Sequence, residues 1–278
     1  MLERIEAPGN ARGRRVSPSR AMPDPSPAPT QRFADRVEDY IRYRPSYPAA
    51  VIDTLRRAAG FGSSSLVADV GSGTGIFAQL LLPACARVYG VEPNEAMRTA
   101  GERLLSRWPN FVSIAGTAEA TGLADSSVDL VVAAQAFHWF NAPASRREFA
   151  RILRPGGPIA LVWNERLVNV TPFLTDYELL LKRHATDYEK VNHANIGAGQ
   201  LGSFYGSRGY ATFEFSNEQR LDLTGLKGRL LSSSYVPNSG QPGNEAMMAE
   251  LEDLFRRRER DGRVSIHYAT KLYVGRLS

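Results

Sequence analysis

Leu66 to Val70 is an apolar stretch broken only by Asp69, and it runs directly into Gly71-Ser72-Gly73-Thr74-Gly75. A strand that is apolar at nearly every position is buried on both faces, the condition of a parallel sheet covered by helices. Glycines on alternate positions let the backbone turn through left-handed conformations and approach a ligand with no Cβ in the way. A helix that follows such a turn offers unpaired N–H groups at its start. In an open α/β sheet this places a binding crevice at the carboxyl ends of the strands, where the strand order reverses.

The pattern repeats downstream. Strands are predicted at Leu66–Val70, Val88–Glu92, Phe111–Ala115, Val128–Ala134 and Ile159–Trp163. Helices separate them. The first carries Ile76, Phe77, Leu80 and Leu81, and the next is capped by Asn94 with Met97 and Leu104 facing in. A third, over 143–153, ends at Arg154-Pro155-Gly156-Gly157. Strands alternating with helices imply right-handed crossovers and a doubly wound α/β fold. Ala211–Ser216 and Val264–Tyr273 read as two more strands, giving a mostly parallel seven-stranded sheet whose last strand is antiparallel. Helices are also predicted over 172–184 and 246–258, and the Gly-, Ser- and Asn-rich stretch 192–209 reads as a loop. Ahead of the sheet, Phe33, Val37, Tyr40 and Ile41 share one helical face. Arg42-Tyr43-Arg44-Pro45-Ser46-Tyr47-Pro48 interrupts it, and a second helix with Val51, Ile52 and Leu55 inward stops at Gly60.

Residues 1–30 are dominated by Pro, Ser, Arg and Ala without apolar periodicity, so they are expected to be a disordered tail. Residues 31–278 are expected to form a single domain, with 165–262 supplying cap and acceptor-site elements. One cysteine among 278 residues excludes an internal disulfide and a multi-cysteine metal site, and no metal-ligand spacing is seen. Cys85 reads as a small buried hydrophobe, and His184, His193 and His267 as structural or solvated. No apolar run approaches the roughly 20 residues of a membrane span, and no secretory segment is seen, so a cytoplasmic location without membrane attachment is expected. The net charge of +5 comes partly from Arg12, Arg14, Arg15 and Arg20 in the tail. No arginine stripe with interleaved aromatics marks a nucleic-acid surface, so no nucleic-acid partner is expected, and the chain is taken as a monomer or weak homodimer.

The glycine turn admits three ligands at first sight: a phosphate, a dinucleotide or another adenosine-bearing cofactor. A phosphate loop of the G-x-x-x-x-G-K type needs a lysine, and none follows Gly75. The dinucleotide spacing G-x-G-x-x-G has Ile76 at its sixth position. Glu92 ends the second strand at roughly the 20-residue spacing from the turn at which an acid reaches a ribose diol.

Four segments in order, VADVGSGTG, GVEPNEAM, GTAEATGLADSSVDLVVAAQAFHWF and ILRPGGPIALVWNE, resemble the successive motifs of class I S-adenosylmethionine-dependent methyltransferases. The likeness is to the small-molecule branch called methyltransferase type 11, including trans-aconitate-methyltransferase-like proteins. YRPSYP ahead of the core and the closing Y-x-T-x-L-Y-x-G-R belong to it, so it covers residues 31–277. The resemblance implies S-adenosylmethionine as cofactor and a small-molecule acceptor offering a carboxylate, hydroxyl or amine. It places Gly71, Ser72, Gly73 and Gly75 beneath the methionine and ribose portion. Asp69 would hold the amino group and Glu92 the ribose hydroxyls. Pro93 and Met97 would pack on the adenine, with Thr117, Ala118 and Glu119 at its edge and Gln135 beside the transferring methyl.

Methyl transfer is an in-line displacement in which the enzyme chiefly aligns the partners, and a general base is needed only for a protonated acceptor. His138 is the candidate base, in the segment after the fourth strand. The candidate acceptor pocket comprises Tyr43, Arg44, Trp139, Phe140 and Asn164, with Tyr40 and Glu165 nearby. Arg44 suits a carboxylate, from either cofactor or acceptor. Two other classes compete: methylation of RNA or protein, and cofactor binding without catalysis. The segment after the fourth strand lacks the Pro-Pro-aromatic signature of amino-methylating nucleic-acid enzymes, and an intact glycine turn argues against a non-catalytic protein.

Overall fold

A computed structural model describes residues 37–185, 188 and 198–278. The tail 1–30, Phe33 and His193 lie outside the described residues.

Seven strands form one sheet: β1 (Leu66–Val70), β2 (Arg87–Val91), β3 (Phe111–Ile114), β4 (Leu130–Ala134), β5 (Ile159–Arg166), β6 (Tyr210–Leu221) and β7 (Val264–Gly275). Their order is β3-β2-β1-β4-β5-β7-β6. β1 to β5 are parallel, and β7 runs antiparallel to both β5 and β6. The chain winds outward from β1 to β3, then restarts on the other side of β1 with β4. The order therefore reverses between β1 and β4, and the crevice at their carboxyl ends is the expected binding position.

Strand alternation sends Val67, Val88, Val132 and Val162 to one core, packed by α2 (Ala50–Ala59) and α3 (Ile76–Leu81). Ala68, Val70, Val131 and Leu161 face the opposite core, built with α5 (Ala142–Ile152) and the helix Ala198–Tyr205. The same alternation puts Asp69 on the Val67 face. A carboxylate is thereby buried in a strand whose other residues are apolar. Between β2 and β3 runs α4 (Glu95–Leu105), started by Asn94, whose side chain accepts from the Met97 N–H at 3.0 Å. Cys85 is buried, and burial pushes its thiol up to about 11.

Of the stretch 192–209, the described residues 198–209 depart from the expected loop. Ala198–Tyr205 is a helix, followed by a short 3-10 turn over Gly206–Arg208. Leu201, Phe204 and Tyr205 are spaced i, i+3, i+4 and are all buried, so apolar periodicity outweighs glycine content.

β6 and β7 are each 12 residues long, and the pairing of β7 with β5 stops where Tyr268 lies opposite Arg166. The end of the β6–β7 pair where Leu221 faces Val264 therefore projects beyond β5. A third core gathers there from α6 (Pro172–His184), the helix Leu223–Leu231 and the helix Asn244–Arg258, with Phe173, Leu230, Met247, Leu251 and Ile266 buried. With the Ala198–Tyr205 helix counted as α7, these last two are α8 and α9. This cap meets the amino-terminal helix α1 (Val37–Tyr43), which buries no residue of its own.

Gly228 in α8 lies directly under the Tyr43 ring, and a Cβ there would overlap it. Gly228→Ala is expected to expel Tyr43 and cost about 1–3 kcal/mol of local packing. Limited trypsin digestion should then cut faster after Arg42, Arg44 being protected by the following Pro45; an unchanged cutting rate would refute the contact's importance.

Candidate functional site

A cavity of about 360 Å³ opens at the β1/β4 crevice. Asp69, Gly71, Ser72 and Thr74 line its floor. Gln135, His138 and Trp139 come from the end of β4, and Asn164, Glu165 and Arg166 from the end of β5. Tyr40, Arg44 and Tyr47 enter from the amino-terminal segment, and Glu178, Tyr188, Arg229, Tyr235 and Tyr268 from the cap.

The glycine turn is held from β2. The N–H groups of Gly71 and Ser72 donate to the Val91 carbonyl at 2.8 and 3.2 Å, and the Gly75 N–H donates to the Ser72 carbonyl at 2.9 Å. Glu92, 8% exposed, accepts from the Gly73 N–H and the Asn94 N–H, both at 2.9 Å, one on each carboxylate oxygen. Burial raises the Glu92 carboxyl, opposed by these two N–H groups and by Arg98. Gly71 and Gly75 have φ of 69° and 82°. A Cβ at Gly71 would come within 2.6 Å of the Ala136 Cβ, and one at Gly75 within 2.5 Å of Leu105 Cδ1. Both glycines are therefore required by backbone conformation and by the protein's own packing, before any ligand is considered.

Asp69 is fully buried, and neither carboxylate oxygen has a hydrogen-bond partner at ordinary distance. Burial pushes its carboxyl up to about 7; the Ala78 N–H holds it down and the charge of Glu92 adds to the rise. An orphaned buried carboxylate on a cavity wall is a site for a cation or a hydrogen-bond donor.

Gln135 has φ of 54°, a left-handed conformation for a residue that carries a Cβ. Its N–H continues the ladder to the Val162 carbonyl at 2.8 Å, and its side-chain oxygen accepts from the Asn164 N–H. Such strain costs of the order of 1–3 kcal/mol and is held by surrounding structure. Asn164 is 5% exposed: its amide donates to the Ser46 carbonyl at 3.2 Å and accepts from Asn217 and Thr270. Its amide is thus committed to fixing the RYRPSYP segment over the strand ends. Glu165 is paired with Lys271 at 2.5 Å.

His138 and Trp139 occupy a 3-10 turn, their rings tilted with centroids 4.8 Å apart, and both line the cavity. Tyr43 and Phe140 do not. Tyr43 packs on Gly228, and Phe140 sits against Gly71 and edge-on to Phe137 and Phe149 in the core. Both stand outside the cavity lining in packing positions: the short turn after β4 sends only some of its rings toward the crevice, and Tyr43, at the end of α1, is taken up by the gap over Gly228. Met97 is buried, its Cε 3.4 Å from where a Cβ of Gly73 would lie, while Pro93 is exposed. Thr117, Ala118 and Glu119 form a turn outside the cavity lining. Ala118 is buried, and the Glu119 carboxylate accepts from the Asn141 N–H at the start of α5.

Arg166, Glu178, Tyr188 and Arg229 carry no signal in the sequence, being brought together from separate elements; Tyr268 opens the closing Y-x-T-x-L-Y-x-G-R. Among the described residues no group of His, Cys, Asp and Glu side chains could hold a metal ion, and no helix is long and apolar enough to cross a membrane.

Residues 68–161 match a family described as a methyltransferase domain. An uncharacterized methyltransferase-like protein of Schizosaccharomyces pombe is 29% identical over 80% of this chain and 85% of its own. An uncharacterized methyltransferase of Mycobacterium tuberculosis is 42% identical over 134 residues, 48% of this chain and 52% of that protein, so this match spans about half of each. Among solved structures, a proposed type II methyltransferase of Anaeromyxobacter dehalogenans shares the fold with a TM-score of 0.63 at 24% identity, covering 84% of this chain and 98% of that one. Joined to a seven-stranded sheet with its glycine turn at the switch point, these similarities liken the chain to the class I S-adenosylmethionine-dependent methyltransferases, with the methyltransferase-domain match over residues 68–161.

Proposed function

We propose that the protein moves the methyl group of S-adenosylmethionine to a small-molecule acceptor held between the end of β4 and the cap. The observation that carries this reading is the roof. Residues from the amino-terminal segment and from the cap lie over the strand ends and leave a cavity of about 360 Å³, a volume suited to a small ligand.

The residues present fit the cofactor. Asp69 supplies an unpaired buried carboxylate for its positively charged methionine portion. Each Glu92 oxygen has one N–H partner and keeps one lone pair for a ribose hydroxyl. Met97, beside Gly73, offers an apolar contact for the adenine. Bound there, the cofactor supplies an electrophilic methyl on a cationic sulfur. The chain's own contribution is alignment and exclusion of water. The strained Gln135 fixes the rim of the crevice, and the Trp139 ring gives a cationic centre a π-face. For an acceptor that carries a proton, an imidazole nitrogen of His138, on the cavity wall, would take that proton as the methyl is accepted.

Incubation with radiolabelled S-adenosylmethionine and, separately, a metabolite extract, total RNA and total protein tests the reading. Label is expected in the metabolites; label confined to RNA or protein would overturn it. His138→Ala is expected to remove the acidic limb of the activity's pH profile. A slower enzyme whose profile keeps its shape would return His138 to a packing role.

A further inference from the structure

The sheet ends on one side at β3, four residues long, and on the other at β6, twelve residues long. Among the described residues β6 pairs only with β7, in a register that runs unbroken from Tyr210 opposite Gly275 to Leu221 opposite Val264. No other described backbone bonds to β6, so a row of N–H and C=O groups faces outward. Natural sheets usually close a long edge to pairing with a proline, a bulge or a cover. β6 contains no proline, and its register has no bulge.

One face of β6 is already used. The amides of Asn217 and Gln219 donate to the Ser46 and Tyr43 carbonyls, both at 2.8 Å, and Arg44 Nη2 donates to the Ser232 carbonyl at 2.7 Å, tying down the amino-terminal segment. Phe213 and Phe215, on the same face, pack against the core of α2 and α3 but stay half-buried. The opposite face carries Glu214, Ser216, Glu218 and Arg220, all exposed. Lys271, across from Glu214 in β7, is engaged by Glu165, and among the described residues Arg220 has no ion pair.

Charges on an edge ordinarily keep a second strand away. Here their order is self-complementary. When two identical strands pair antiparallel, residues directly opposite must share a face, so the twofold axis passes through a residue. An axis through Asn217 sets Glu214 of each copy opposite Arg220 of the other, Ser216 opposite Glu218, and Phe213 opposite Leu221. An axis through the adjacent Ser216 or Glu218 sets glutamate against glutamate instead. We propose that two copies of the chain join β6 to β6 about an axis through Asn217, merging their sheets into one. The symmetry forms each Glu214–Arg220 pair twice, and this self-match selects a second copy of the chain as the occupant of the edge.

The test is sedimentation velocity on the full-length protein over a wide range of concentration. Wild type is expected to form dimers. Glu214→Arg and Arg220→Glu each set like charges opposite one another twice per dimer, and each should weaken dimerisation at least ~10-fold. The combined Glu214→Arg/Arg220→Glu variant restores opposite charges and should dimerise within about threefold of wild type, which also shows that neither single change acts by misfolding. Disulfide cross-linking reads the register. Ser216→Cys/Glu218→Cys brings cysteine opposite cysteine within disulfide reach and should give a covalent dimer on mild oxidation. Thr212→Cys/Glu218→Cys, which links only if the axis slips to Phe215, should not. A wild type that stays monomeric at every concentration would overturn the interface and leave the edge to a different partner. So would a dimer indifferent to both charge reversals, or one cross-linked through positions 212 and 218.

Discussion

Asp69→Asn is expected to raise the melting temperature while abolishing measurable binding of S-adenosylmethionine. The Asp69 carboxyl stands at about 7 in the folded protein against an ordinary value of 3.8. The folded state therefore holds a proton that the unfolded state has released between those two values. Unfolding sheds protons in that window, so stability falls as pH rises through it, and the full penalty stands above about pH 7. A shift of about three units corresponds to roughly 4 kcal/mol, an upper figure for what a neutral amide recovers. We expect about 2–4 kcal/mol of added stability at about pH 8, shrinking steadily toward about pH 5. In the other direction, a cationic ligand beside Asp69 favours its ionised form. Wild-type affinity for the cofactor should decline as pH falls below about 7, whereas Asp69→Asn should bind at least ~100-fold more weakly at about pH 8. Melting curves and calorimetry on the two sides of this window, at about pH 5.5 and about pH 8, check both effects. Equal stability on the alkaline side, or undiminished affinity, would remove Asp69 from the site.

Glu92→Ala has the second largest expected effect, and it is double. The substitution strips acceptors from the Gly73 and Asn94 N–H groups, each orphaned donor costing about 1–3 kcal/mol. The glycine turn loses its tie to the end of β2, so stability is expected to drop by about 2–4 kcal/mol and cofactor affinity by at least ~100-fold. Glu92→Gln separates the two contributions, because the amide keeps one oxygen for a backbone N–H but no longer offers two acceptors to a diol. Wild type should prefer S-adenosylhomocysteine over its 2′,3′-dideoxy analogue by at least ~100-fold, and Glu92→Gln should lose most of that preference. A variant that discriminates as well as wild type would confine Glu92 to holding the turn.

The cofactor half of the molecule is legible in the sequence because its signals are local. Leu66–Val70 and its neighbours are buried on both faces and read as apolar runs, and the glycines sit at backbone positions that need positive φ. The cap is hard to read for the opposite reason. Leu223–Leu231 contains Gly225 and Gly228, which lower helix propensity, and Gly228 stands there for a Tyr43 ring from the other end of the chain. Arg229 and Arg166 look like ordinary surface arginines until the fold encloses them. Tyr43 and Phe140 read as pocket residues because an aromatic beside a motif carries no mark of which way it faces. Asn164 reads as lining the pocket, and it does; that its amide is spent on Ser46, Asn217 and Thr270 depends on partners from three other segments.

The anchor from Arg44 to the Ser232 carbonyl joins residues 188 positions apart, one before the glycine turn and one between the last two strands of the sheet. A ribosome emits Arg44 early and Ser232 late. While the chain is still emerging, the five parallel strands and the glycine turn can assemble, yet the wall that faces them is missing. That wall therefore closes only after Ser232 has emerged, and a chain cut short before β6 would lack the part of it that Arg229, Tyr235 and Tyr268 supply.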